Sequence, residues 1–222
     1  MTTLPLHLID GHLFLVVEND LWLIDTGAPS GFGESGSITI AERTFDLGDN
    51  YLGMDAETLS DQVGTRCVGL LGADVLGEFD HLFDVPNQTL TVSSESLEHT
   101  GQIVPVEHFM GIPVLSVGVG DEDHRMFFDT GAQLSYFQHD SLSEFPAVGS
   151  VSDFYPGVGQ FKTDTHKVPM AIGGITFELQ CGKLPELLAM TLMMANTTGI
   201  VGNVILQNRV TGYFPRRNEL VL

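Results

Sequence analysis

Short apolar runs recur along the chain and end at glycine, proline, asparagine or aspartate. Leu13–Val17 and Leu21–Ile24 are two such runs, and their length and boundaries are typical of buried β-strands. Long amphipathic helices are not evident. One segment, Leu184–Ala195, is compatible by apolar spacing with a helix and equally with a buried strand and loop. The pattern as a whole predicts an all-β protein.

Two of the apolar runs are followed by the same tripeptide. Asp25-Thr26-Gly27 follows Leu23-Ile24, Asp129-Thr130-Gly131 follows Phe127-Phe128, and an alanine comes next in both places. A given tripeptide arises by chance in roughly 5% of chains of this length, and two copies with matched surroundings are rarer still. The two aspartates are therefore candidates for one shared site.

The surroundings of the two tripeptides match along the chain. Each is followed by an apolar-apolar-glycine segment, Leu70-Leu71-Gly72 in one case and Ile200-Val201-Gly202 in the other, that reads as a buried strand turning into a short helix. A proline turn and a final strand close each copy. The sequence thus predicts an internal duplication of about 100 residues per copy, with domains 1–97 and 98–222 and a linker near Ser93–Gln102.

These paired motifs resemble those of the pepsin-like and retropepsin-like aspartic peptidases. The resemblance covers most of the chain and implies the bilobal acid-protease fold, in which two β-barrel-like lobes are related by a pseudo-twofold axis and the active site lies between them. Ala28 and Ala132 resemble the retropepsin form of the motif, whereas two motifs in one chain resemble the pepsin arrangement. The implied active unit is a monomer.

The resemblance makes Asp25 and Asp129 the catalytic dyad of an aspartic endopeptidase. Two carboxylates at hydrogen-bonding distance hold one proton between them over a range of pH, so that one serves as base and the other as acid. A water activated by this pair hydrolyses the peptide bond without a metal or a cofactor. Which aspartate carries the proton stays open, because the two motifs are nearly symmetric.

Neighbouring residues have supporting roles. Gly27 and Gly131 permit a close approach of the backbone to the carboxylates. By resemblance, Thr26 and Thr130 hydrogen-bond across the two halves. The resemblance also implies that two segments cross behind the dyad, one at Leu71 and Gly72 and the other at Val201 and Gly202.

The second repeat is longer than the first after its catalytic turn. From Asp25 to Phe45 the distance is 20 residues (45 − 25), and from Asp129 to the aligned Phe177 it is 48 (177 − 129). The superfamily places its flap in this region, so a candidate flap is predicted at about 151–167, and none is obvious in the first repeat. Its alternative is an ordinary surface hairpin. The candidate flap residues are Tyr155, Gly157, Val158 and Gly159.

Composition and charge limit the partners. The 222 residues include 9 basic and 29 acidic side chains, a formal net charge of −20 that disfavours nucleic acids and anionic membranes as partners. A soluble acidic surface explains this charge better than a surface adapted to bind basic substrates. Asp121–His124 has residue types that bind metals, but it reads as a hairpin turn.

Extended peptide or protein is the expected substrate, because a cleft with a flap binds the main chain in β fashion. The N-terminus lacks a basic region and a long apolar run, so a cytoplasmic location is expected unless a leader has been removed. The alternative from a different class is a catalytically silent peptide-binding module on the same scaffold.

Overall fold

The computed structural model describes residues 1–155 and 158–222, and strands dominate throughout these ranges. The prediction of an all-β protein is confirmed. Within the same ranges, no helix combines the length and the apolar character that a membrane crossing requires.

The first ten strands run through the first repeat and into the start of the second. They are β1 Thr2–Ile9, β2 His12–Val17, β3 Asp20–Ile24, β4 Phe32–Gly33, β5 Ser37–Ile40, β6 Arg43–Asp46, β7 Gly69–Leu71, β8 Asp80–Asp84, β9 Thr89–Ser93 and β10 Ile103–Pro105. The others are β11 Glu107–Phe109, β12 Ile112–Val119, β13 Glu122–Phe128, β14 Ser135–Phe137, β15 Ala147–Tyr155, β16 Gly159–Ile172, β17 Ile175–Gly182, β18 Gly199–Val201, β19 Val210–Phe214 and β20 Glu219–Val221.

The strands form two large sheets and one separate hairpin. One sheet has the order β10-β20-β19-β8-β9-β1-β2-β3-β7-β4, and the other has the order β11-β12-β13-β18-β14-β17-β16-β15. Strands β5 and β6 pair only with each other. In the first sheet, β19 pairs with β8 of the first repeat, and β20 pairs with β19, so this sheet joins the two parts of the sequence.

Tight turns of matching backbone geometry occur at corresponding places in the two halves of the chain. The turn at Asp10 and Gly11 (φ 48° and 83°) joins β1 to β2, and the turn at Met110 and Gly111 (φ 52° and 84°) joins β11 to β12. Backbone with two consecutive positive φ angles is the geometry of tight two-residue hairpin turns. The two hairpins aligned from sequence also share it, at Ala41-Glu42 and at Gly173-Gly174.

Three short α-helices interrupt the sheets. Helix α1, Ala56–Val63, begins at Asp55, whose side chain accepts from Thr58 N at 2.9 Å, and ends at Gly64 with φ 70°. Helix α2, Ala73–Leu76, follows Gly72, as the sequence predicts. The ambiguous apolar segment is resolved as a helix, α3, Glu186–Met194, whose Leu188 and Leu192 pack against the sheet.

A buried ion pair fastens the C-terminal strands to the first repeat. Asp80 on β8 is fully buried and accepts from Arg216 Nη2 at 2.9 Å, from Arg217, and from Leu97 N at 3.0 Å. Both arginines are supplied by the turn between β19 and β20. Because an unpaired charge in this position is strongly unfavourable, the contact fixes the register of these strands.

Candidate active site

The two Asp-Thr-Gly turns meet in equivalent backbone frameworks. Asp25 follows β3, which pairs in parallel with β7, and Asp129 follows β13, which pairs in parallel with β18. Asp25 N donates to Leu71 O at 3.0 Å, and Asp129 N donates to Val201 O at 2.9 Å. The two apolar-apolar-glycine segments therefore lie directly beside the aspartates.

Thr26 and Thr130 connect the two turns by reciprocal hydrogen bonds. Thr26 N donates to Thr130 Oγ1, and Thr130 N donates to Thr26 Oγ1, both at 3.0 Å. Each hydroxyl then donates onward to the opposite repeat, Thr26 to Phe128 O at 2.7 Å and Thr130 to Ile24 O at 2.8 Å. Both side chains are fully buried. This network fixes the two turns relative to each other.

Backbone N–H groups orient both carboxylates. Gly27 N and Ala28 N donate to Asp25 Oδ1 at 2.8 and 3.0 Å. Gly131 N and Ala132 N donate to Asp129 Oδ1 at 2.9 and 3.2 Å. One oxygen of each carboxylate is thus held by its own turn, while both aspartates stay partly buried and line a cavity.

Glycine is required where each turn faces the opposite carboxylate. A Cβ on Gly27 would lie 2.3 Å from Cγ of Asp129, and a Cβ on Gly131 would lie 2.6 Å from Cγ of Asp25. Any side chain at either position would push the carboxylates apart. The same close packing applies behind the dyad, where a Cβ on Gly72 or Gly202 would lie within 2.6 Å of backbone atoms of the turns.

The electrostatics are those of a coupled carboxyl pair. Burial, and then the neighbouring carboxylate of Asp129, raise the pKa of Asp25 well above its usual range. Burial also raises the pKa of Asp129. The backbone N–H groups act in the opposite direction, because they stabilise the charged forms. The pair therefore retains a proton at a higher pH than a free carboxyl group does, and it titrates as one unit.

The hairpin predicted in the second repeat is present and reaches the dyad. Strands β15 and β16 pair antiparallel, from Ala147 opposite His166 to Tyr155 opposite Gly159. Tyr155 is half-buried, and burial, then Asp129 and Asp25, raise the pKa of its hydroxyl. Val158 N donates to Tyr155 O at 3.1 Å. Val158 is half-buried, Gly159 is exposed, and the predicted flap residue Gly157 lies outside the described residues, as does Pro156.

A tight turn from the first repeat, which the sequence did not indicate, lies opposite this hairpin. Tyr51 and Met54 exchange two backbone hydrogen bonds of 2.9 Å, and the residues between them have φ values of 51° and 81°. Burial and the charge of Asp25 raise the pKa of the Tyr51 hydroxyl. Tyr51 and Tyr155 thus approach the dyad from opposite repeats.

Two cavities contact the dyad and differ in chemistry. One, of about 140 Å³, contacts Asp129 and Tyr155 and has apolar walls, formed mainly by Phe109, Ile112, Phe127, Leu188 and Leu192. The other, of about 80 Å³, contacts both aspartates and Tyr155. Its walls add polar groups that the sequence did not single out, namely His12, Tyr136 and Asp153.

His12 is held as a neutral ring against the second Asp-Thr-Gly turn. Its Nδ1 lies 3.3 Å from Gly131 O and its Nε2 lies 3.1 Å from the amide nitrogen of Gln133, a pattern that fits a proton on Nδ1 only. Burial lowers its pKa. Residues 12, 136 and 153 are far apart in sequence, so no local spacing signal could have found this cluster. In the described part of the chain, no group of three or more metal-binding side chains is present.

Comparisons with known proteins give information on the fold alone. No protein-family model matches the chain, and no curated protein matches it. Among solved structures, the chain is similar to the crystal structure of basic 7S globulin from soybean, with a TM-score of 0.52 and 9% sequence identity. That likeness covers 98% of this chain and 93% of the globulin chain, so the two share an overall fold across nearly their full lengths.

Proposed function

We propose that the chain is an aspartic endopeptidase with Asp25 and Asp129 as its catalytic dyad. The observation that carries the proposal is the meeting of two partly buried carboxylates on equivalent turns, each oriented by two backbone N–H groups and facing the glycine of the other turn. The proposal includes the bilobal acid-protease arrangement with one Asp-Thr-Gly turn in each lobe. A monomer then contains the complete site.

The reaction uses one proton shared by the dyad. The ionised carboxylate takes a proton from a water held between the aspartates, and that water attacks the carbonyl carbon of the substrate. The protonated carboxyl group donates to the carbonyl oxygen, which gives a tetrahedral diol. Collapse of the diol breaks the carbon–nitrogen bond and returns a proton to the leaving amine. The raised pKa of the pair keeps this shared proton available above the range of a free carboxyl group.

The β15–β16 hairpin acts as the flap over an extended substrate. The described strand ends next to its tip and the 51–54 turn line one cavity, with Phe154, Tyr155 and Gly159 opposite Leu52 and Met54. Backbone at such a tip can pair with an extended peptide, and its closure excludes water from the reacting bond. The substrate class is therefore peptide or protein in extended conformation.

Digestion of a diverse peptide mixture by the native protein tests the proposal, with products identified by mass spectrometry. Pepstatin provides the matched probe, because its statine hydroxyl mimics the diol; it should bind tightly and block cleavage. Folded protein that cleaves no peptide between about pH 3 and pH 8 and does not bind pepstatin would overturn the proposal. Peptide binding without turnover would identify the silent binding module instead.

The pH profile of this activity is expected to peak in mildly acidic to near-neutral solution. Alanine at 28 and 132 leaves the carboxylates without a hydroxyl donor from that position, and burial raises the pKa of both. Ala132→Ser adds such a donor, which stabilises the charged form, so its kcat/KM profile should move to lower pH. Measurement of kcat/KM against pH for both proteins checks this. An optimum of the native protein below about pH 3.5 would contradict it.

A further inference from the structure

The smaller of the two cavities beside the dyad carries a third carboxylate. Asp153, on the flap strand β15, is half-buried and lines this cavity together with Asp25 and Asp129. Its Oδ2 accepts from the buried hydroxyl of Tyr136, and its Oδ1 accepts from Phe154 N at 2.8 Å. Both oxygens act as acceptors, as those of an ionised carboxylate do.

The described residues supply no cation to balance this charge. Among them, no lysine or arginine forms an ion pair with Asp153 or with either member of the dyad. His12 is the basic side chain on the cavity wall, and its two ring contacts hold it in a neutral tautomer. With one proton on the dyad, the cavity retains about two negative charges.

The remaining walls are apolar and suit a long aliphatic stem. Leu23, Leu59 and Leu70 line the cavity from the first repeat, and Phe161 and Ile200 line it from the second. Lysine and arginine bury their methylene groups against apolar surface while their charged ends seek a polar partner. A narrow apolar cavity of about 80 Å³ with a carboxylate on its wall matches this shape and charge.

We propose that this cavity binds a lysine or arginine side chain of the substrate and that Asp153 determines this specificity. The proposal rests on the function proposed above, since it assigns a class of residue to one side of the cleaved bond. An apolar residue here would cover Asp153 without pairing its charge, which is unfavourable. The larger, apolar cavity contacts Asp129 but has no second or third carboxylate among its lining residues, so a large apolar residue of the substrate suits it better than a basic one.

The overall negative charge of the chain does not account for such a preference. A formal charge of −20 attracts any cationic peptide, but attraction by exposed charges is screened at an ionic strength near physiological and does not distinguish one position of the peptide from another. A contact inside the cavity is position-specific and less sensitive to salt. Assays in about 0.15 M salt therefore separate the two effects.

The test compares two peptides that differ only at the basic position next to the cleaved bond, with lysine in one and norleucine in the other. The native protein should cleave the lysine peptide with a kcat/KM about 10- to 100-fold higher. Asp153→Asn should bring the ratio of kcat/KM for the lysine peptide to that for the norleucine peptide to about 1, and Asp153→Glu should restore part of the preference. Asp121→Asn, which removes an exposed charge from the β12–β13 turn, should leave the preference unchanged.

Binding of uncleavable analogues separates this inference from the proposed function. The same two peptides, with a hydroxyethylene group replacing the reacting amide, are titrated calorimetrically into the native protein and Asp153→Asn. Tighter binding of the lysine analogue that depends on Asp153 supports the inference even if no peptide is hydrolysed. Equal binding of both analogues, or a lysine preference that persists in Asp153→Asn, overturns the inference, and cleavage lacking this preference overturns it without affecting the proposed function.

Discussion

Asp25→Asn and Asp129→Asn are each expected to lower kcat for peptide cleavage by at least about 1,000-fold. An amide can neither take a proton from water as a carboxylate does nor share the proton of its partner. Because the dyad acts as a unit, loss of the second carboxyl group should cost little further activity. The double variant should therefore have a kcat similar to that of each single variant. Steady-state kinetics on the best peptide from the mixture measure these losses.

The same substitutions are expected to stabilise the fold at neutral pH. The pKa of Asp25 is raised in the folded state by burial and by Asp129, so the folded state binds more protons than the unfolded state once the pH exceeds the ordinary value of 3.8. Stability that the carboxyl group contributes is complete below that value and is lost as the pH rises toward the folded pKa. Asparagine carries no such penalty.

Thermal unfolding from about pH 3 to pH 7 checks this sign. Asp25→Asn should unfold at a higher temperature than the native protein at pH 7, and the difference should shrink as the pH falls toward 3.8. Asp121→Asn serves as the control, since its side chain is exposed in a turn. Retained cleavage in either dyad variant, or a lower Tm of both at pH 7 with no pH dependence, would contradict a coupled dyad.

The local parts of the candidate site could be predicted from the sequence because each has a local signal. An apolar run ending at Asp-Thr-Gly places the carboxylate at the end of a buried strand, and Gly72 and Gly202 mark the segments that lie behind it. The position of the long insertion indicated the β15–β16 hairpin. The aligned turns at Ala41 and Gly173 have matching backbone geometry, which explains why the two repeats could be aligned there.

Features that depend on contacts between distant residues could not be predicted. Tyr51 lies in a turn of four residues whose apolar members carry no periodic signal, and it meets Tyr155 of the hairpin only as a wall of the same cavity. The Tyr136–Asp153 contact joins two strands of one sheet through side chains alone. The pairing of β8 with β19 could not be predicted either, because strand propensity does not specify which strands pair with each other.

Thr26→Val is expected to destabilise the protein by about 2–4 kcal/mol in the free energy of unfolding. Valine keeps the shape of threonine but removes the hydroxyl group that donates to Phe128 O and accepts from Thr130 N. Both backbone groups are then left buried without their partner. Thr26→Ser keeps the hydroxyl group and loses one buried methyl group, for a cost of about 1 kcal/mol. Denaturant unfolding at pH 6 measures both.

The double variant with valine at 26 and 130 distinguishes a reciprocal network from two separate contacts. Each hydroxyl accepts from the backbone of the other threonine, so the first substitution already disturbs the environment of the second. The combined loss should therefore fall short of the sum by about 0.5–3 kcal/mol, whereas distant sites add. In the same variants, the loss of kcat/KM, expressed as a free energy, should exceed the loss in the free energy of unfolding, because the network sets the spacing of Asp25 and Asp129. Additive losses, or full activity in a folded Thr26→Val protein, would mean that the turns are held together by the surrounding sheet and that the threonines only fill space.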